Sequence, residues 1–455
     1  MLIKNANIVK EKNNLKKVDI LVEDGKIKKI EEPNRISSMF FIDASNFLVL
    51  PGFVDAHVHF DDPGFTERED FATGTMSAAK GGVTTIVDMP CTSIPPVITK
   101  ENLQYKLNVV SKKAYVDFAF WGGITPEQIW NKSYKKVIRE LKDEGVVGLK
   151  LYTISGMETY PRLNLEEIAQ VFETISDLGL VAAIHSEDFD LVDYFSKKLL
   201  NEKEITPLAW TKGRNYEAEA VSIMRSVALA KEFKNKVHIV HLSTKLGLKM
   251  VEYAKSEGVN ITTETCPQYL IFTEEDLERI GPILKTAPPV RRKEDCDYLF
   301  EGLKNGSVDF VTTDHAGGVY PEEKSKKSIW DNYAGIPGVQ TRFNAIFTYG
   351  YCQGKLTLED LVRVLSTKPC ERFALTSKGK IEEGFDADLV FIDPLSEFVL
   401  DSSKDLLSKN KYSPLDGVLL KGKIIKTMLR GEIVYDSRVG VTGKAGFGKF
   451  IKSAY

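Results

Sequence analysis

A chain of 455 residues with 43% hydrophobic and 27% charged residues is ordinary globular material but too long for one small core, so a barrel of about 250 residues plus a satellite domain is expected. Lys and Arg (61) nearly balance Asp and Glu (64), which excludes an electrostatic footprint for nucleic acid or a polybasic membrane anchor. No apolar run approaches the roughly 18 residues of a membrane span, the start "MLIKNANIVKEKNN" carries no signal-peptide block, and five scattered cysteines without a CxxC read as reduced thiols, so a cytoplasmic chain acting on a small molecule is expected.

Residues 1–50 show alternating strand patterns around a D-G turn in "VDILVEDGKIKKI". Eight short apolar, β-prone runs follow: "FVDAHVH", "VTTIVDMP", "YVDFAFWG", "VVGLKLY", "LVAAIHSE", "VHIVHLS", "VNITTETC" and "VDFVTTDH". Segments of helical character such as "LEEIAQVFETISDLG" and "TKLGLKMVEYAKSEG" lie between them, and this alternation predicts a (β/α)8 barrel over residues 51–380. A doubly wound sheet competes, but no G-x-G-x-x-G follows an early strand. The Lys-rich "PEEKSKKS" around residue 324 reads as a solvated loop. Residues 381–438, with "DADLVFIDP" and "KGKIIKTMLRGEIVYD", return to strand patterns and are expected to complete a small β-sandwich with residues 1–50, leaving a tail at 439–455.

Polar residues mark the strand ends. His57 and His59 stand two apart, so an extended backbone aims both imidazoles to one side. Lys150 lies in the fourth run, His185 closes the fifth, His241 the sixth and Asp314 the eighth, so four of six histidines, an Asp and a hard-to-bury Lys meet at the C-terminal mouth, where barrel active sites form. Alternation turns His315 away from the mouth into a supporting role, and places His238, three residues before His241, on the outer side of the barrel.

"HVHFDDPG", "GLKLY", "HSED", "VHLST", "ETCPQYL", "KTAPPVR" and "TTDHA" resemble the cyclic-amide branch of the amidohydrolase superfamily, which contains dihydroorotases, allantoinases and hydantoinases. The resemblance spans almost the whole chain and implies a small-molecule cyclic ureide or amide substrate and a homo-oligomer, dimer or tetramer. It implies two divalent metals, His57 and His59 on one and His185 and His241 on the other, with Asp314 completing the first and a carboxylated Lys150 as the bridge. Zinc is expected, with iron, cobalt or manganese compatible with the same donors, and carbon dioxide enters as the carbamate on Lys150. Such a pair lowers the pKa of a shared water from 15.7 toward about 7 and polarises the carbonyl, and Asp314 acts as base and then acid.

Within the branch, "IVDMPCTSIPP", "FAFWGG", "TETCP" and "YAGIPGVQ" are most similar to allantoinase patterns, so opening of allantoin to allantoate is the expected reaction. Dihydroorotase and hydantoinase or dihydropyrimidinase are the alternatives, and a non-catalytic scaffold is disfavoured because all six ligands are retained. Asp61 and Cys91 stand where dihydroorotases hold their carboxylate-gripping Arg and Asn, and Ser155 where hydantoinases carry a Tyr; with Ala287 and Ala334 they are the expected substrate contacts. A carboxylate substrate about 4 Å from an ionised Asp61 would meet repulsion of about 4 kcal/mol at an effective dielectric of 20, which favours neutral allantoin over dihydroorotate.

Overall fold

A computed structural model describes residues 1–455. The chain opens with strands β1 (Leu2–Glu11), β2 (Asn14–Glu23), β3 (Lys26–Glu31), β4 (Phe41–Asp43) and β5 (Leu48–Pro51). The β2–β3 hairpin turns on Asp24 and Gly25, with φ of 49° and 77°. Two successive positive φ angles match the twist of the flanking strands, which is why a D-G pair suits this turn.

The barrel follows in β6 (Phe53–Val58), β7 (Val83–Asp88), β8 (Asp117–Phe120), β9 (Gly122–Gly123), β10 (Gly148–Tyr152), β11 (Val181–His185), β12 (Lys236–Ile239), β13 (Ile261–Thr265) and β14 (Phe310–Val311). β6 to β8 pair in parallel, as do β9 to β14. β8 and β9 are one strand interrupted at Trp121, so each of the eight apolar runs supplies one stave. A parallel bridge from Val58 to His315, with His59 N donating to His315 O at 2.8 Å, closes the cylinder. Every residue of β6, β7, β10 and β11 is buried, as expected where helices cover the outside and side chains fill the inside. The helix Leu165–Ile175 shows how the cover is specified. Asn164 caps it in a reciprocal box with Glu167, and Ile168, Val171, Phe172 and Ile175 bury one face at helical spacing. Phe373 plugs the N-terminal end, packing edge-on against Trp121, His238 and Phe310.

Four strands return to the first domain: β15 (Leu389–Val399), β16 (Leu419–Leu429), β17 (Glu432–Asp436) and β18 (Gly440–Val441). β15 pairs antiparallel with β5, which joins both chain ends in one nine-stranded sheet. This sheet folds around its own core, drawn from Ile3, Val18, Ile20 and Val49 on one side and Leu389, Phe391 and Met428 on the other. Buried Lys378 ties it to the barrel by pairing with Asp117 (2.6 Å) and Asp388 (2.8 Å).

The tail runs beneath the barrel. Phe118 N donates to Lys449 O (3.0 Å), Ile451 N donates to Phe118 O (2.7 Å), and Phe450 packs on Phe118 and Phe120. It fills the gap beside the lower half of β8, and Gly448 permits the approach, since a Cβ there would lie 2.0 Å from Val116 O.

Candidate active site

The end of β6 delivers two imidazoles to one carboxylate. His57 Nε2 and His59 Nε2 each lie 3.1 Å from Asp314 Oδ1, and the three ligand atoms fall within 4.8 Å of one another. Asp314 reaches inward because its backbone takes φ 50°. The turn is held by the buried Asp55 carboxylate, which accepts from Thr313 N (3.2 Å) and Thr313 Oγ1 (2.7 Å). A positive φ at a residue with a side chain costs about 1–3 kcal/mol and persists only where its surroundings impose it. Burial alone would raise the Asp314 carboxyl, but the adjacent His57 imidazole and the hydrogen bond with His59 hold it well below the usual range.

Lys150 sits on the inner face of β10, fully buried, and its Nζ has no hydrogen-bond partner. Tyr160 donates its hydroxyl to Lys150 O at 2.7 Å through space that only a glycine at 123 leaves open, since a Cβ there would lie 1.7 Å from the Tyr160 hydroxyl oxygen. Burial lowers the Lys150 pKa to about 8 despite the opposing Asp314 charge, so about a tenth of it is neutral near pH 7. His185 and His241 face it. Burial lowers both, His241 well below the ordinary range, and a neutral imidazole is the form that offers a lone pair. His185 Nε2 is engaged by Glu187 (2.8 Å), itself clamped by Arg214 at 2.9 and 2.6 Å, which leaves Nδ1 for the site. The rings form a continuous set, His59 to His57 at 5.3 Å, His57 to His241 at 5.4 Å and His241 to His185 at 4.5 Å between centroids.

Two expectations about neighbouring histidines separate here. His315 supports the site from behind, its Nδ1 accepting from Gly338 N and Val339 N while Nε2 donates to Glu69. His238 does not face outward. The register pairs Lys150 with Ala183 and Ala183 with His238, so His238 shares the inner face with Lys150. Alternation misleads because His241 lies beyond the end of β12 at φ 41°, a left-handed turn that swings it inward as well.

His238 has work there. Its Nε2 lies 3.0 Å from Glu264 Oε2, and Glu264 Oε1 lies 2.5 Å from His57 Nδ1. Burial would raise the Glu264 carboxyl, but the His57 charge and hydrogen bonds from both histidines hold it below its usual range. An ionised Glu264 thus holds His57 Nδ1 as the donor and orients the ring so that Nε2 is the nitrogen turned to the site beside Asp314, a role that the strand-end pattern does not reveal. The available signal was an acid inside the β-prone run "VNITTETC", where a charge is buried only for a reason. Glu264→Gln should weaken metal binding at the His57 and His59 end about 10- to 100-fold, read by competition with a chelator; unchanged affinity would deny Glu264 this role.

A cavity of about 730 Å³ opens above the histidines, lined by His59, His185, His241 and Asp314 and, further out, by Ser155, Ala287 and Ala334. Asp61 and Cys91 are not on its wall. Both are fully buried behind it, with Cys91 Sγ 3.2 Å from Tyr152 OH and 3.7 Å from His59 Nδ1. The Asp61 carboxylate makes no hydrogen bond, and burial pushes its pKa well above the usual range against the pull of His59. Repulsion of an anionic substrate therefore has no ionised Asp61 facing the cavity on which to rest. Arg68 does not reach Asp61 but pairs with Glu323 at 2.6 Å.

The Lys-rich segment also departs from its reading as a solvated loop. Lys326 and Lys327 are exposed, but Lys324 is buried and donates to Lys285 O (3.3 Å), Tyr333 O (3.1 Å) and Gly335 O (2.9 Å). It clasps the two loops that carry Ala287 and Ala334.

A closed barrel with an imidazole, carboxylate and lysine cluster at its C-terminal mouth defines a hydrolase of the metal-dependent kind. Residues 48–434 match the amidohydrolase family, and the chain belongs to it. It is an enzyme of the class that hydrolyses cyclic amides. It is 37% identical to an allantoinase of Rubrobacter xylanophilus over 94% of this chain and 93% of that one, and 33% identical to an allantoinase of Enterococcus faecalis over 100% and 99%. Among solved structures, the L-hydantoinase (dihydropyrimidinase) from Arthrobacter aurescens superimposes with a TM-score of 0.94 at 33% identity, covering 99% of both chains. No helix is long and apolar enough to cross a membrane.

Proposed function

We propose that this chain is an allantoinase, opening the five-membered ring of allantoin to allantoate. His59, His185, His241 and Asp314 on the floor of one cavity, with His57 and Lys150 buried among them, carry the chemistry, and likeness to allantoinases along nearly the whole chain carries the substrate.

The donor set fits two divalent ions. Lys150 Nζ, His57 Nε2 and His241 Nδ1 are buried polar atoms without hydrogen-bond partners, a costly arrangement for groups that serve only the fold. His57, His59 and Asp314 would hold one ion, His185 and His241 the other, and a carbamate on Lys150 would bridge them, with zinc our choice among metals suited to these donors. When bound, such ions act as Lewis acids toward the amide carbonyl and lower the pKa of water toward about 7.

The chain's own residues account for the proton. Asp314 Oδ1 faces two imidazole nitrogens, which leaves Oδ2 to take a proton from the water that adds to the amide carbon. As the C–N bond breaks, the same oxygen returns that proton to the departing ring nitrogen, so the ring opens to a carboxylate and a ureide. Glu264 and Glu187 hold His57 and His185 in the required tautomers throughout.

Hydantoin hydrolysis is a second reading, favoured by the overlay on L-hydantoinase and by a cavity with room for a ring substituent. Assaying the metal-replete protein against allantoin, hydantoin, dihydrouracil and dihydroorotate separates the readings. The highest kcat/KM is expected for allantoin; a clear preference for dihydrouracil or hydantoin would transfer the assignment to the second reading.

A further inference from the structure

Three cations line the active-site cavity, and they are not equivalent. Arg68 is paired with Glu323 and Arg214 with Glu187. Lys285 is 2% exposed and has no carboxylate partner. Its Nζ donates to the Asn332 and Trp330 carbonyls, the latter at 3.4 Å, and lies 3.9 Å from the centroid of the Trp210 ring. An ammonium has three N–H donors, and these carbonyls take two of them. The indoles beside it are fixed. Trp210 Nε1 donates to Thr286 O and Trp330 Nε1 to Glu204 O, each at 2.7 Å, and the two rings meet edge to face at 5.7 Å.

We propose that Lys285, Trp210 and Trp330 form a subsite for a planar carbamoyl group, the ureido arm that distinguishes allantoin from an unsubstituted hydantoin. This rests on the allantoinase reading and names what selects its substrate. A ureido group has a flat face that packs against the indole pair, whose Trp210 ring also carries Arg214 at 4.8 Å, and a carbonyl oxygen that accepts the remaining Lys285 N–H. An alkyl or phenyl substituent offers no such acceptor and would leave that donor unpaired, the arrangement that discriminates most strongly between substrates.

Burial pulls the Lys285 pKa down to about 7, with the Arg214 charge adding to the shift and Asp331 opposing it; Lys324 is the other cation facing this group. The lysine is therefore a cation below pH 7 and increasingly a neutral, weaker donor above it.

The test compares kcat/KM for allantoin and hydantoin in the metal-replete wild type and in Lys285→Met. The ratio of the two cancels whatever the substitution does to the chemistry or packing they share. We expect the allantoin-to-hydantoin ratio to fall about 10- to 100-fold in the variant, mainly through KM for allantoin, as for loss of a hydrogen bond to a charged group. In the wild type the ratio should decline as pH rises through 7, and in the variant it should be flat. Equal losses on both rings would overturn the subsite and leave Lys285 as a loop clasp, with the allantoinase reading standing. A wild type that opens hydantoin but not allantoin would show, before any variant is made, that the substrate reading itself had failed and the subsite with it. Should Lys285→Met not fold, Lys285→Arg carries the comparison: a retained preference supports the subsite, and a lost one overturns it.

Discussion

Lys150→Ala should empty the metal centre and lower ring opening by about a thousandfold or more, the equivalent of roughly 4 kcal/mol of transition-state stabilisation. In the proposed centre Lys150, buried with an unpartnered Nζ, would supply the anionic bridge, which requires adding carbon dioxide to its neutral amine. Its burial, with the pKa drawn down to about 8, makes that amine available. Alanine would remove the proposed bridge and leave the two proposed ions repelling each other across a cavity the small side chain cannot fill. Elemental analysis of protein purified with ample metal and bicarbonate should give two ions per chain in the wild type and a clear loss in the variant. Short carboxylates such as propionate should restore part of the activity by occupying the vacated bridge. Full metal content and activity in the alanine variant would show that something other than Lys150 joins the two ends of the site.

Asp314→Asn should separate binding from chemistry. An amide still presents an oxygen to the two imidazoles that lie 3.1 Å from Asp314 Oδ1, so metal content should be largely kept. What it cannot do is take a proton from water and return it to the ring nitrogen, and a fall in kcat of at least about a hundredfold is expected. In the wild type Asp314 is ionised at neutral pH, since its neighbours hold its pKa well below the usual range, so the base is ready without prior deprotonation. A near-wild-type rate at equal metal occupancy would remove Asp314 from the proton relay.

The barrel was legible because a stave covered on both faces must be apolar along its length, and eight such runs stand out. The strand-end histidines were legible for the complementary reason: polar groups at the end of an apolar run have few bland explanations when several recur. What escaped is information held in backbone angles and depth. His238 was misplaced because two-residue alternation was carried past the end of β12, where the φ of 41° at His241 breaks it. Lys324 was misplaced because three lysines in a polar stretch look alike, although only one finds three carbonyls to satisfy it in the interior. Asp61 and Cys91 lie one layer behind the cavity wall, and the distance from a wall is not written in local sequence.

The tail beneath the barrel also bears on how the protein is made. Lys449 N bonds the Asp117 carboxylate across a separation of 332 residues. A ribosome working at about 5–20 residues per second needs roughly 15–65 s to cover that distance. Throughout that interval the lower edge of β8 has emerged but its partner has not been synthesised, and the ring faces of Phe118 and Phe120 that Phe450 will cover stand open. An uncovered edge beside aromatic surface is the usual substrate of chaperones and the usual start of aggregation. The cover over this edge of β8 therefore forms only after the whole barrel sequence has been translated.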